Sequence, residues 1–325
     1  MKLTYTLGAV LAGLAMAAPG PAAAVYPDKP ITLIIGFAPG GPTDAIGRVL
    51  FKTVSQKLGT PIVIENRAGA GGNVGSQDLI RAKPDGYTLL YGTSSITSAA
   101  ALYGRQDLNP KTAFAVAGCS VSVPLILLAS NKVGIDNAPA FYAAMKASPD
   151  KYFMGSSGPG AIDHLVAMDV AKRLDVKFHH VPYKGNGPAL TDVVAGTTNF
   201  MYSGSFNSAI PFIKSGQVKA LGVTSSKRSQ SLPNVPTLSE SVPGLQGYDA
   251  GTWQVLLAPK GTPTAILDKL NGAVQSALQD PEVMASMRFQ GAEPMDKNLA
   301  QCQQYIDAEY ERWSGIVERL GLKAR

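Results

Sequence analysis

Three features of this 325-residue chain predict an α/β fold of two lobes. Apolar β runs alternate with amphipathic helical stretches, the pattern of parallel βαβ units. A strand, a glycine-rich loop and a helix occur twice, at residues 31–58 and 152–174, with the apolar residues at the same spacing each time. Hydrophobic residues make up 45% of the chain, with 34 Gly and 23 Pro, which is ample for two cores and too order-forming for a disordered chain.

The elements follow in order. Residues 1–24 carry Lys2, an apolar stretch over 7–18, and Ala22 and Ala24 where a signal peptidase prefers small residues. Pro19, Gly20 and Pro21 interrupt that stretch before it reaches the ~20 apolar residues of a spanning helix. The segment reads as an export signal cleaved near Ala24, without the Cys of a lipoprotein. A strand over 31–37 then stops at Ala38-Pro39-Gly40-Gly41 and opens into a helix closed by Gly59. Ile46, Val49, Leu50, Val54 and Leu58 give that helix one buried face. β runs at 61–65 and 87–92 flank a glycine-rich loop at 66–73 and a short helix through Leu79 and Ile80, which completes a parallel βαβαβ unit with right-handed crossovers.

The apolar segment 121–129 carries the chain into a second lobe. There a helix around 139–147 precedes the strand 152–155, the loop Ser156-Ser157-Gly158-Pro159-Gly160, and a helix with Ile162, Leu165, Val166, Val170 and Leu174 on one face. β runs follow at 176–181, 199–203 and 219–224, with a helix through Leu190, Val193 and Val194 between the first two. Residues 225–249 are rich in Ser, Pro and Gly and read as a crossing or hinge segment rather than core. A strand at 252–258 returns to the first lobe, and helices near 263–279, 281–290 and 299–320 complete it.

Ligands in such sheets bind at the carboxyl ends of strands. The first turn at Pro42, Thr43 and Asp44 leaves backbone N–H groups without helical partners, and the preceding glycines leave room for a carboxylate or phosphate. A tight turn of an α/β fold explains the same stretch. The second unit offers a second helix N-terminus, and a cleft between lobes would let the two face one ligand. Thr43, Thr93, Ser94, Ser156, Ser157 and Ser203 add hydroxyl donors after strand ends, although each alone is also a cap or turn former. Asp44, beside the first loop, reads as a cap or helix-dipole partner more readily than as a catalytic acid. Lys184 is the nearest cation, otherwise a solvated turn residue.

Several functions are disfavoured. The net charge of +6, from 29 basic and 23 acidic residues, is dispersed and forms no nucleic-acid stripe. Gly155-Ser156-Ser157-Gly158 has the wrong spacing for a nucleophile elbow, and no base is identifiable. The loops lack a P-loop ending, and Gly158-Pro159-Gly160-Ala161-Ile162-Asp163 breaks the dinucleotide fingerprint, so no nucleotide or other cofactor is expected. His179 and His180, adjacent on a strand, point to opposite faces and do not share a metal; His164 sits where it can hydrogen-bond within its loop. Cys119 and Cys302 in an exported chain permit a disulfide, but a chain of this size needs no staple, and two buried free thiols are the favoured reading.

Tyr26-Pro27-x-Lys29-Pro30, the 37–44 loop, Glu65-Asn66-Arg67-Ala68-Gly69-Ala70-Gly71-Gly72-Asn73, Pro84-Asp85-Gly86-Tyr87-Thr88, Gly155-Ser156-Ser157-Gly158-x-Gly160 with His164, and His180-Val181-Pro182-Tyr183-Lys184-Gly185 closely resemble the Bug (TctC-like) family. These are periplasmic solute-binding proteins of tripartite tricarboxylate transporters, and the resemblance runs through Trp253 to the C-terminal helices. It implies a type II two-lobed periplasmic-binding-protein fold, each lobe a sheet flanked by helices. The first lobe would comprise residues 25–123 and 249–325, and the second, inserted, 124–248. It further implies a non-enzymatic, monomeric periplasmic receptor without metal or cofactor, which delivers a small carboxylate to a membrane permease. The ligand would be held largely by backbone amides, hydroxyls and ordered water. The candidate ligand-binding residues are then Ala38, Pro39, Gly40, Gly41, Thr43 and Asp44; Gly92, Thr93 and Ser94; Ser156, Ser157, Gly158, Gly160 and Ala161; and Ser203 and Gly204. Where many relatives read Met-Phe-Asp-Asn, this chain has Met201-Tyr202-Ser203-Gly204-Ser205, which tilts it toward a ligand without an ammonium group. An exported serine hydrolase using Ser156 or Ser157, and a carboxylate receptor feeding a sensor kinase, are the alternatives.

Overall fold

The computed structural model describes residues 26–319 and 321–322; the export segment at residues 1–24 lies outside the described residues. The chain begins with β1 (Ile31–Ile35), α1 (Pro42–Leu58), β2 (Ile62–Asn66), α2 (Asn73–Arg81), β3 (Thr88–Thr93), α3 (Ile96–Tyr103), α4 (Pro110–Ala113) and β4 (Phe114–Pro124). It continues with β5 (Ile126–Ser130), α5 (Ala138–Ala147), β6 (Phe153–Ser156), α6 (Ile162–Leu174), β7 (His179–Pro182), α7 (Asn186–Ala195), β8 (Phe200–Ser203), α8 (Phe206–Lys214), β9 (Val218–Val223) and α9 (Leu238–Ser241). The last elements are β10 (Gly251–Pro259), α10 (Thr264–Ala277), α11 (Pro281–Phe289), β11 (Glu293–Pro294) and α12 (Leu299–Arg319).

Two mixed sheets result, in the orders β11-β4-β10-β3-β1-β2 and β7-β6-β8-β5-β9. The expected parallel unit is present as β2-β1-β3, and β10, β4 and β11 extend it antiparallel. Strand alternation explains the layering. Ile31, Leu33 and Ile35 face α1 and α10 through Leu50, Val54, Leu270 and Val274. Ile34 faces the opposite layer with Leu79, Val255 and Ile306. In the second lobe Leu125, Leu127 and Ala129 pack on α5 and α6, while Ile126 and Leu128 belong to the cluster that holds Leu190 and Val193 of α7.

Only Leu125 separates β4 in one sheet from β5 in the other, and the chain returns beside it, with Gly251 paired to Pro124. Thr224, fully buried, ties the two crossings together. Its Oγ1 accepts from Leu125 N–H at 2.8 Å and donates to the Ala250 carbonyl at 2.6 Å.

Three expectations need correction. Cys119 and Cys302 are not free thiols but a disulfide joining β4 to α12, 183 residues apart, with both cysteines fully buried. α12 is the last helix of the chain, and the disulfide fixes it covalently to β4, a pairing that chain length does not bear on. Residues 225–249 are not merely a crossing segment, because Leu238, Val242 and Leu245 are buried in the second-lobe core; a spacing of four and three residues was hidden among Ser, Pro and Gly. Nor does the last helix serve the first lobe alone. Trp313, Ile316 and Val317 of α12 join the second-lobe cluster, and Glu309 accepts from the indoles of Trp253 and Trp313 at 3.1 and 2.7 Å. Among the described residues, no helix is long and apolar enough to cross a membrane.

Candidate functional site

The loop after β1 bends at Gly40, whose φ of +80° is a left-handed conformation suited to glycine. α1 then starts at Pro42 behind Gly41, with no side-chain cap. Asp44 is turned into the fold: its carboxylate accepts from Gly40 N–H at 2.9 Å, Arg48 Nε at 2.8 Å and Asn66 Nδ2 at 2.8 Å. Burial pushes this carboxyl up, but the Arg48, Gly40 and Asn66 bonds outweigh it and bring it down to about 2. Asp44 therefore shapes the loop. Among the described residues the N–H groups of Thr43 and Asp44 have no hydrogen-bond acceptor, so the first turn keeps donors for an anion.

The second loop, after β6, is differently built. Ser157 N–H donates to Asp163 at 2.6 Å, Gly158 N–H to Ser156 Oγ at 3.1 Å, Gly160 N–H to His164 Nδ1 at 3.1 Å, and Ala161 N–H to the Gly158 carbonyl at 3.2 Å. The amides of residues 157–161 expected to hold a ligand are thus largely used to hold their own loop. Asp163 accepts from His164 N–H at 2.9 Å as well. Burial raises the Asp163 carboxyl to about 6 against these bonds, and lowers His164 to about 4, with neighbouring His180 contributing.

His180 stacks on His164 with ring centroids 3.9 Å apart, and its Nε2 lies 2.6 Å from Ser156 Oγ. His179, on the opposite face of β7, stacks on Phe153. A base next to Ser156 thus exists, although the sequence offered no way to identify it. Ser156 is fully buried and off the cleft wall, so the pair braces the loop.

Between the sheets lies a cleft of about 510 Å³. Of the candidate residues, Thr43, Thr93, Ser94, Ser157, Gly158, Gly160, Ala161 and Gly204 line it. Ala38, Pro39, Gly40, Gly41, Asp44, Gly92, Ser156 and Ser203 do not; Gly92 lies within β3, and Ser203 Oγ bonds to the side chain of Asn186. Sequence reasoning missed Leu102 and Tyr103 of α3, Ala70 and Gly71 after β2, and Gln254 and Gln290. The loop after β2 follows a strand end and could have been found by that rule; Gln254 interrupts an apolar strand run, which was the available sign for it. Asp163 and Lys184 are the charged side chains on the described lining, and both carboxylate oxygens of Asp163 accept backbone bonds. The walls therefore combine hydroxyls and amides with an apolar stretch at Leu102, Val123, Leu125 and Leu165. Among the described residues no group of three or more His, Cys, Asp or Glu side chains could hold a metal ion.

Comparison with known proteins agrees with this architecture. The family described as "Tripartite tricarboxylate transporter family receptor" matches residues 46–322. The chain is 34% identical to Protein BugT of Bordetella pertussis over 326 aligned positions, covering 100% of this chain and 99% of that one. The solved structure of the periplasmic binding protein BugD is 33% identical, with a TM-score of 0.75 over 92% of this chain and 100% of that one. MatC from Rhodopseudomonas palustris, solved with bound malate, is 32% identical, with a TM-score of 0.75 over 90% of this chain and 100% of that one. A family match across most of the chain, joined to a shared fold of two sheets around one cleft, places this protein in the tripartite tricarboxylate transporter receptor family, as a two-lobed α/β solute-binding protein.

Proposed function

We propose that this protein is a non-enzymatic periplasmic receptor that closes its lobes, residues 25–123 with 249–325 and 124–248, on a small organic carboxylate without an ammonium group. It then hands the ligand to a permease of the tripartite tricarboxylate type. The observation that carries this reading is the cleft of about 510 Å³ between the lobes, onto which the first turns of α1 and α6 both open. The unpartnered N–H groups at the start of α1 favour an anion there. With the oxygens of Asp163 committed to backbone N–H groups, the described lining offers an ammonium no free carboxylate. The malate bound to MatC, 32% identical, supports a small carboxylate. Of the two serines of the hydrolase alternative, Ser156 has His180 beside it but is buried off the cleft, and Ser157 lines the cleft but has no histidine bonded to its hydroxyl among the described residues, which argues against that alternative.

Thermal unfolding with malate, succinate and aspartate, followed by chromatography of the acid, tests this. Malate or succinate should raise Tm by mass action without being consumed. Turnover of the acid, or a larger Tm shift with aspartate than with malate, would overturn the reading.

A further inference from the structure

The cleft contains two amide side chains that the fold leaves unsatisfied. Oε1 of Gln254 and Oε1 of Gln290 are buried without a hydrogen-bond partner, and the two residues are only 3% and 8% exposed. Both line the cleft. Buried polar groups are as a rule paired, and of the six buried side-chain atoms left without a partner among the described residues, the two on the cleft are those of Gln254 and Gln290, where a partner can come from outside the chain. An amide turned over about its last bond presents either donors or an acceptor to the same space.

Their place in the sheet separates them from the first anion site. Gln254 lies on β10, opposite Thr93, and shares the cleft face with Thr252 while Trp253 points into the core. Gln290 follows α11, just before the edge strand β11. α1 begins beyond β1, which is two strands from β10, or ~10 Å across the sheet. From the second lobe Ser205 and Asn207 line the cleft on either side of Phe206, whose ring packs against Gly291, so they approach at the Gln290 end. The apolar side chains of Val123 and Leu125 also line the cleft, at the crossing between the lobes.

We propose that Gln254 and Gln290 form a second polar pole that determines specificity. They receive a hydrogen-bonding oxygen, as carboxylate or hydroxyl, at the end of the ligand remote from the carboxylate held near the helix N-termini. This rests on the receptor reading above.

Calorimetry with three four-carbon acids that differ only at the far end tests it: butyrate, 4-hydroxybutyrate and succinate. The wild-type protein should bind succinate, 4-hydroxybutyrate or both at least about tenfold more tightly than butyrate, and which of them it prefers identifies the oxygen. Gln254→Leu and Gln290→Leu should each lower that ratio, and the double variant should bring it near one. Tm without ligand should hold or rise in the Leu variants, because an unpaired buried amide is removed; a purely structural pair would lower it. Gln254→Asn, which keeps the amide but shortens its reach, should also lower the ratio. A ratio unchanged in the double variant, or absent in the wild type, overturns the assignment while leaving the receptor reading intact. Failure of the wild type to bind any of these acids or malate overturns both.

Discussion

Asp163 and His164 are neighbours whose ionisation is displaced in opposite directions, and replacing either should expose the other. Burial raises the Asp163 carboxyl from 3.8 to about 6, which corresponds to ~3 kcal/mol. Its stabilising contribution is complete below the unfolded value and is lost as pH rises through about 6. Burial, and then the proximity of His180, lower His164 from 6.5 to about 4, again ~3 kcal/mol. That contribution is present above 6.5 and is lost as pH falls through about 4. Acidification from pH 6.5 to 4 therefore costs stability at His164 and returns a similar amount at Asp163. Asp163→Asn, which retains an acceptor for the loop, should lose ~3 kcal/mol relative to wild type across this window. His164→Asn, which keeps an acceptor near the position of Nδ1, should gain about as much. Urea unfolding at pH 7, 6, 5 and 4 measures all three proteins. Parallel stability profiles would refute the opposed-burial argument.

Two further predictions concern how the lobes are held. Replacing Cys119 and Cys302 together by Ala opens a covalent loop spanning 183 residues, worth up to ~5 kcal/mol by chain entropy. Guanidinium unfolding should show a loss of several kcal/mol, and a change below ~1 kcal/mol would contradict it. Gly291→Ala would set a Cβ 2.2 Å from Cγ of Phe206 at a φ of +71°. The left-handed backbone alone costs ~1–2 kcal/mol, and the overpacking adds ~1–3 kcal/mol. Because Gly291 precedes β11 of the first sheet and Phe206 follows β8 of the second, small-angle scattering should show a larger radius of gyration, and malate affinity should fall; if neither changes, the contact does not set the spacing of the two sheets.

The parts of this fold that were legible in the sequence are the locally periodic ones. α1 and α6 announce themselves because one helical face carries apolar residues three and four apart, and their buried side chains include Ile46, Leu50, Val54, Leu165, Val166 and Val170. α3 did not, because Ile96-Thr97-Ser98-Ala99-Ala100-Ala101-Leu102-Tyr103 has no polar face; most of it is covered, so no alternation marks it. Non-local pairings were equally hidden. His180 reaches Ser156 only because β7 lies parallel beside β6, and Cys119 meets Cys302 only because α12 folds back over β4. At the site, residue type indicated the loops but not their internal hydrogen bonding. Glycine at 158 and 160 suggests open amides, whereas their N–H groups already have acceptors in Ser156 Oγ and His164 Nδ1.

Thr224 joins Leu125 to Ala250 through its hydroxyl and also through its backbone, whose N–H donates to the Leu125 carbonyl at 3.0 Å and whose carbonyl accepts from Ala250 N–H at 3.0 Å. Mechanically this is a pin. Two chain segments bonded on either side of one residue cannot slide past each other, so any relative motion of the lobes would be a bending at this crossing. On the proposed closure, the two walls of the cleft would meet in the same alignment each time, and recognition at one wall would stay in register with recognition at the other without any further guide.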